Sequence, residues 1–142
     1  MKTITTLGIG VAIGMLSIAF MLNSKPDIQN KVVYVPIQDT LTESNVLYIL
    51  NLFDVQHPEI VLNQAILETG HFTSNICKQK NNLFGLYDSA NSEYMKFSHW
   101  IESCIAYKNM VQYKYKGGCY YEFLDNLPYA EDTEYINKLK SL

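Results

Sequence analysis

The 142-residue chain contains no arginine. Its positive charge rests on 11 lysines, against 14 acidic residues, for a formal net charge of −3. Phosphate recognition leans on positive charge and on the bidentate guanidinium fork, so an acidic chain without arginine argues against a nucleic-acid partner. Histidine and cysteine are also scarce, at three each: His57, His71 and His99, and Cys77, Cys104 and Cys119. Their spacing does not resemble a zinc site, and no metal is expected. An odd number of cysteines leaves open one disulfide with a free thiol, or three free thiols. A Cys–His nucleophile pair is the weaker reading, because most cysteines are small buried hydrophobes. There is no internal repeat and no low-complexity tract. Tyrosine, by contrast, is abundant, with 11 in the chain.

The first 22 residues differ from the rest. Met1-Lys2 precedes an uncharged apolar run from Ile4 to Leu22, interrupted by threonine, glycine and serine. Such a run after a positive residue reads as an export signal or an N-terminal membrane anchor, and its length favours an anchor in the inner membrane over a cleaved signal. Residues 23–40 read as a polar tether around a short extended run, Val32 to Val35, with Pro36 disfavouring a central strand. Residues 41–142 then form one small domain with a modest core.

Within that domain the apolar spacing is helical. Val46, Ile49, Leu50 and Phe53 predict a helix from about Glu43 to Phe53, capped by Thr42. Pro58 to Thr69 predicts a second helix, with proline at its start and Gly70 as its stop, packed on the first as a hairpin. Thr73 or Ser74 caps a short helix reaching toward Lys80. Leu86 to Phe97 reads as a loop or a small irregular hairpin. Ser98 is expected to cap a longer helix carrying Trp100, Cys104, Tyr107 and Val111, which Gly117-Gly118 terminates. A helix from about Cys119 to Leu124 follows. A last one, capped by Asp132 or Thr133, has Tyr135, Ile136 and Leu139 as its apolar side.

One carboxylate stands out. Glu68 shares a stripe with Val61 and Ala65 at the C-terminal end of the second helix. Apolar neighbours and the negative end of the helix dipole both disfavour ionisation and push its pKa upward, toward what a general acid at neutral pH requires. The same position also suits a half-exposed surface glutamate. Asn81-Asn82-Leu83-Phe84-Gly85 reads on its own as a tight turn pinned by two buried side chains.

Taken together, Ala65-Ile66-Leu67-Glu68-Thr69-Gly70, Ser74 and Asn81-Asn82-Leu83-Phe84-Gly85 resemble the bacterial N-acetylglucosaminidase domain of autolysins and flagellar peptidoglycan hydrolases, glycoside hydrolase family 73. Phe97 to Ser103 with Tyr107 resembles that family's aromatic-and-serine helix start. Tyr129-Ala130-Glu131-Asp132-Thr133-Glu134-Tyr135 resembles its Tyr-Ala-Thr-Asp-Pro-x-Tyr segment. The likeness spans about residues 41–142. It implies a mainly α, lysozyme-like helical domain with a small, shortened β-lobe or irregular loop. It implies cleavage of peptidoglycan glycan strands in the cell envelope by a monomer without a cofactor. Glu68 takes the place of the general acid and Tyr129 lines the cleft near the scissile sugar. His71, Phe72, Asn81, Asn82 and Tyr87 become the expected substrate contacts.

Two departures bear on chemistry. Many members read Glu-Thr-Gly-Trp-Gly where this chain has His71-Phe72, so an aromatic platform survives in altered geometry. Glycosidic cleavage normally needs a second carboxylate opposite the acid, and the short segment from Leu86 to Phe97 offers only Asp88 and Glu93. Glu93, mid-loop, is the preferred candidate. Glu102 lies nearer the family spacing but inside a predicted helix. Participation of the substrate's own N-acetyl group would need no second carboxylate. Muramidase or lytic transglycosylase action on the same polymer is the nearest alternative activity. A degenerate, glycan-binding envelope protein is the alternative outside catalysis.

Overall fold

A computed structural model describes residues 11–12, 15–19, 34–37, 40–127 and 134–142. The chain divides between Thr40 and Leu41 into two units. In the first, β1 (Val11–Ala12), β2 (Met15–Ala19) and β3 (Tyr34–Ile37) form an antiparallel sheet in that order. Val11 pairs with Leu16, and Ser17 with Pro36. Pro36 therefore sits on an outer strand, where a missing N–H is tolerated.

This sheet corrects the expected membrane anchor. The middle of the apolar run is a β-strand, and no helix among the described residues is long and apolar enough to cross a membrane. Attachment to the inner membrane through an N-terminal helix is excluded. An uncharged apolar run does not by itself distinguish helix from strand. This one contains Gly8, Gly10 and Gly14, each of which disfavours a helix by about 1 kcal/mol. The proposed division at residue 22 falls outside the described residues.

The second unit is mainly helical. Helix α1 (Glu43–Leu52) is capped by Thr42, whose hydroxyl accepts from the Asn45 amide at 3.2 Å. Helix α2 (Pro58–Thr69) begins on its proline and stops at Gly70, which turns left-handed at φ +56°. Ser74 caps α3 (Asn75–Lys80). Strands β4 (Tyr87–Asp88) and β5 (Glu93–Tyr94) make a small antiparallel hairpin. Helix α4 (Trp100–Met110) starts one residue later than expected. His99 Nδ1 accepts from the Ile101 amide at 3.2 Å, while the Ser98 amide donates to Glu102 Oε2 at 3.0 Å. A 3₁₀ turn (Gln112–Lys114), α5 (Tyr120–Asp125) and α6 (Tyr135–Lys140) complete the unit. The architecture is lysozyme-like, a helical body with a small, open two-stranded β-lobe.

Helix α1 packs against α2 and α4, and α6 packs against α2. The centre holds Val46, Ile49 and Leu50 of α1, Val61 and Ala65 of α2, and Ile101, Cys104 and Tyr107 of α4. Leu83 and Phe84 enter the same core from the loop after α3, with the Phe84 ring 4.5 Å from that of Tyr107. All three cysteines are free thiols; Cys77 and Cys104 are buried and Cys119 is exposed. Burial pushes the thiols of Cys77 and Cys104 above the ordinary range.

Candidate active site

Glu68 occupies the last turn of α2 and is half-buried. Burial raises its pKa, and a hydrogen bond with the Tyr135 hydroxyl partly opposes that rise. The turn that follows is locked by Thr69, whose buried hydroxyl donates to the Ala65 carbonyl at 2.5 Å and accepts from the Phe72 amide at 2.8 Å. Gly70, His71 and Phe72 are then left-handed in succession, at φ +56°, +55° and +62°. For the two residues with side chains this conformation is strained by roughly 1–2 kcal/mol each. The Thr69 bond to Phe72 helps to hold it.

The loop from Asn81 to Gly85 approaches the Glu68 carboxylate. Gly85 is left-handed at φ +60°, and a Cβ on it would lie 3.7 Å from Glu68 Oε2. The carboxylate thus lies against the end of the Asn-Asn-Leu-Phe-Gly loop. Asn82 is 1 % exposed and organises that loop from within. Its Nδ2 donates to the carbonyls of Leu86 at 2.8 Å and Met95 at 3.0 Å. Its Oδ1 accepts from the amides of Phe84 at 3.3 Å and Leu86 at 3.0 Å. A side-chain amide has two donor protons and two acceptor sites, so Asn82 is saturated inside the protein and shapes the cleft through the backbone it holds. Asn81, left-handed at φ +51°, donates to the carbonyls of Phe97 and Ser98 and keeps its Oδ1 for other partners. From α4, Ser103 accepts from the Leu83 amide at 3.4 Å.

The candidates for a second carboxylate separate by their bonds. Asp88 caps its own turn, accepting from the Asn91 side chain and the Ala90 amide, which hold its carboxyl below the usual range. Glu102 is occupied by the Ser98 amide at the start of α4. Glu93 lies on the hairpin with its side chain 65 % exposed, and Lys80 bridges it at 3.2 Å while donating to the Tyr94 carbonyl at 2.7 Å. Tyr87 and Tyr94 face one another across the hairpin, both exposed, their rings edge to face at 5.4 Å. His71 is exposed and lies 3.8 Å from Glu43, while Phe72 is half-buried. Tyr129 lies outside the described residues.

Sequence reasoning missed Tyr135, Gln64 and Tyr94. Tyr135 reads as part of an apolar helix face, yet its hydroxyl accepts from Gln64 Nε2 at 3.1 Å and acts on the Glu68 carboxyl, whose pKa it lowers. Burial is also the main reason that the Tyr135 phenol is pushed up. Gln64 carried one available signal, a polar residue among the buried positions of α2, four residues before Glu68. Among the described residues no group of three or more His, Cys, Asp or Glu side chains has metal-binding geometry. An open groove of about 500 Å³ between Asp54, Lys108, Gln112 and Tyr115 contains none of the expected site residues.

No curated protein and no solved structure matches the chain. Residues 48–142, two-thirds of the chain, match the glucosaminidase family, described as mannosyl-glycoprotein endo-beta-N-acetylglucosaminidase. The match takes in both the Glu68 helix and the loop that closes on it. The chain belongs to the glucosaminidase family and is a glycoside hydrolase of peptidoglycan glycan strands.

Proposed function

We propose that the protein cuts the glycan strand on the reducing side of N-acetylglucosamine, with Glu68 as general acid. The observation that carries this reading is a half-buried carboxyl with a raised pKa, held against the backbone of Gly85. Such a group retains its proton at higher pH than an exposed glutamate does and can give it to the glycosidic oxygen as the C–O bond breaks. Water then adds to the anomeric carbon and its proton passes to a base. Glu93 is our candidate for that base, placed by Lys80 on the hairpin. Attack by the substrate's N-acetyl oxygen is the second reading, favoured by the engagement of Asp88 and Glu102 elsewhere. Tyr129 is proposed to line the cleft near the scissile sugar. His71, Phe72 and Tyr87, joined by Tyr94, are proposed to stack on sugars, and Asn81 to bond an N-acetyl group through its Oδ1. The substrate places the protein in the cell envelope, after export across the cytoplasmic membrane.

The test uses the full chain, wild type and Glu68→Gln, incubated with peptidoglycan sacculi, with released fragments reduced and weighed. N-acetylglucosamine at the reducing end, released by wild type alone, is the expected result. Muramic acid at the reducing end would convert the reading to a muramidase, and anhydro-muramic ends to a transglycosylase. Co-sedimentation without any fragments would sink the hydrolase reading.

A further inference from the structure

A row of buried polar side chains runs through the helical body from the 3₁₀ turn to Glu68, and the direction of each hydrogen bond in it can be deduced. Gln112 sets the direction at the far end. Its Oε1 accepts from the Gln56 amide and its Nε2 donates to the Gln56 carbonyl, each at 2.8 Å. Backbone groups cannot exchange roles, so the orientation of this amide is fixed. Its remaining N–H meets Tyr120 Oη at 3.0 Å. Tyr120 is 2 % exposed, and its own proton needs an acceptor. Gln112 offers an N–H, so the proton goes to Tyr107 Oη, 2.9 Å away. Tyr107 in turn donates to Gln64 Oε1 at 2.5 Å. Gln64 must then present Nε2 to Tyr135 Oη, at 3.1 Å. With that lone pair filled, the Tyr135 proton is left for the Glu68 carboxyl, the acid with which its hydroxyl interacts. Among the described residues no buried side-chain N or O is left without a partner, so the row is complete.

We propose that Gln112, Tyr120, Tyr107 and Gln64 form a one-way hydrogen-bond chain that commits Tyr135 to donating to Glu68, making Tyr135 a positioning residue for the protonation step. Resting on the reading of Glu68 as general acid, this adds a means of placing its proton. The carbonyl oxygen of a protonated carboxyl accepts a hydrogen bond better than its hydroxyl oxygen does, so it is the oxygen that faces the Tyr135 O–H. The transferable proton therefore resides on the other oxygen. The chain also counters burial, since a donor bonded to a carboxylate favours the ionised form. Among the described residues, the titratable groups around Glu68 are Tyr135 of α6, then Tyr107 of α4 and Tyr120 of α5 through Gln64. The exposed His71–Glu43 pair lies where the end of α2 meets α1.

Two variants of the full chain test this, Tyr135→Phe and Tyr107→Phe, each read by carbon-13 carboxyl NMR titration of Glu68 and by the pH dependence of kcat on sacculi. Tyr135→Phe removes the donor, and the Glu68 midpoint should rise by about 1 unit. The alkaline limb of kcat should move up with it, because the acid stays protonated to higher pH. At the optimum, kcat should fall about tenfold with KM within about twofold. Tyr107→Phe touches Gln64 rather than Glu68, but releases the Gln64 amide to turn over and accept the Tyr135 proton. Its midpoint should rise in the same direction by a smaller step. An unchanged or lowered midpoint in Tyr135→Phe overturns the proposal, and an unchanged midpoint in Tyr107→Phe overturns the one-way chain. The titration needs no turnover. Wild-type protein that leaves sacculi intact would therefore reject the hydrolase reading while the midpoints still decide on the chain.

Discussion

Replacing Asn82 with alanine should be among the most damaging single changes to the cleft, although Asn82 has no spare polar group for a sugar. The substitution removes four hydrogen bonds at 2.8 to 3.3 Å. At about 1 kcal/mol net for each, the loss is about 4 kcal/mol, a large part of the ~5–15 kcal/mol that holds a domain folded. For a unit of this size, Leu41–Leu142, each kcal/mol lowers Tm by about 4–8 °C, so thermal unfolding should occur at least ~15 °C earlier. Asn91→Ala is the control. It removes one exposed bond, to Asp88 at 2.7 Å, and should lower Tm by less than about 5 °C. Hydrogen exchange at the Leu86 amide should accelerate with the loss of Asn82 Oδ1. Asn82→Asp keeps both acceptor bonds but loses the donors, and it should recover stability as the pH falls and the buried carboxyl takes up a proton. An Asn82→Ala protein melting within about 5 °C of wild type would refute the reasoning, since the loop would then be held by something else.

Three further outcomes follow from the geometry. Glu68→Gln should be more stable than wild type at neutral pH and equal to it in acid. A folded-state pKa above the unfolded value of 4.5 means that the native protein binds the proton more tightly, so wild type loses stability as pH rises through the folded pKa while glutamine does not titrate. Chemical denaturation across that range reads the difference, and a gap that widens toward low pH would contradict it. Lys80→Met removes the bridge to Glu93 and the bond to the Tyr94 carbonyl. It should cost about 1 kcal/mol locally, accelerating amide exchange in β4 and β5 about fivefold with little change in Tm; unchanged exchange would mean that Lys80 does not brace the hairpin. A thiol reagent on native protein should label Cys119 quickly and Cys77 and Cys104 only on unfolding. Labelling of two or three thiols in the native state would show that the helical body is looser than its packing indicates.

What could be read from the sequence follows the strength of local signals. Pro58 and Gly70 bracket α2 because each has a backbone preference that few neighbours override, and Thr42 and Ser74 mark caps through their own hydroxyls. The N-terminal run was misleading because hydrophobicity by itself fixes neither helix nor strand, and the pairing of β2 with β3 joins residues about 20 positions apart. The candidate site reads from the sequence as a carboxylate and a loop, but its hydrogen-bond wiring does not. Tyr135 satisfies the same periodicity whether it is buried for its ring or for its hydroxyl. Gln64 and Gln112 acquire their roles from residues 71 and 56 positions away. Asn82 reads from the sequence as an expected substrate contact, and only the folded loop reveals that it bonds inward. Glu102 reads as a first-turn acid of α4, and only the folded structure shows that the Ser98 amide occupies it.

The hairpin of β4 and β5 has two residues per strand, about 7 Å of extended chain. That hairpin by itself is too low a wall to roof over a polymer. Strands that bear peptide branches and are stitched into a mesh can settle into such a groove from the side, at any point along their length, without being threaded from an end. Cutting should then shorten the strands statistically, giving a broad spread of fragment lengths early in a digest. A tunnel would instead have peeled off identical small units from the first turnover.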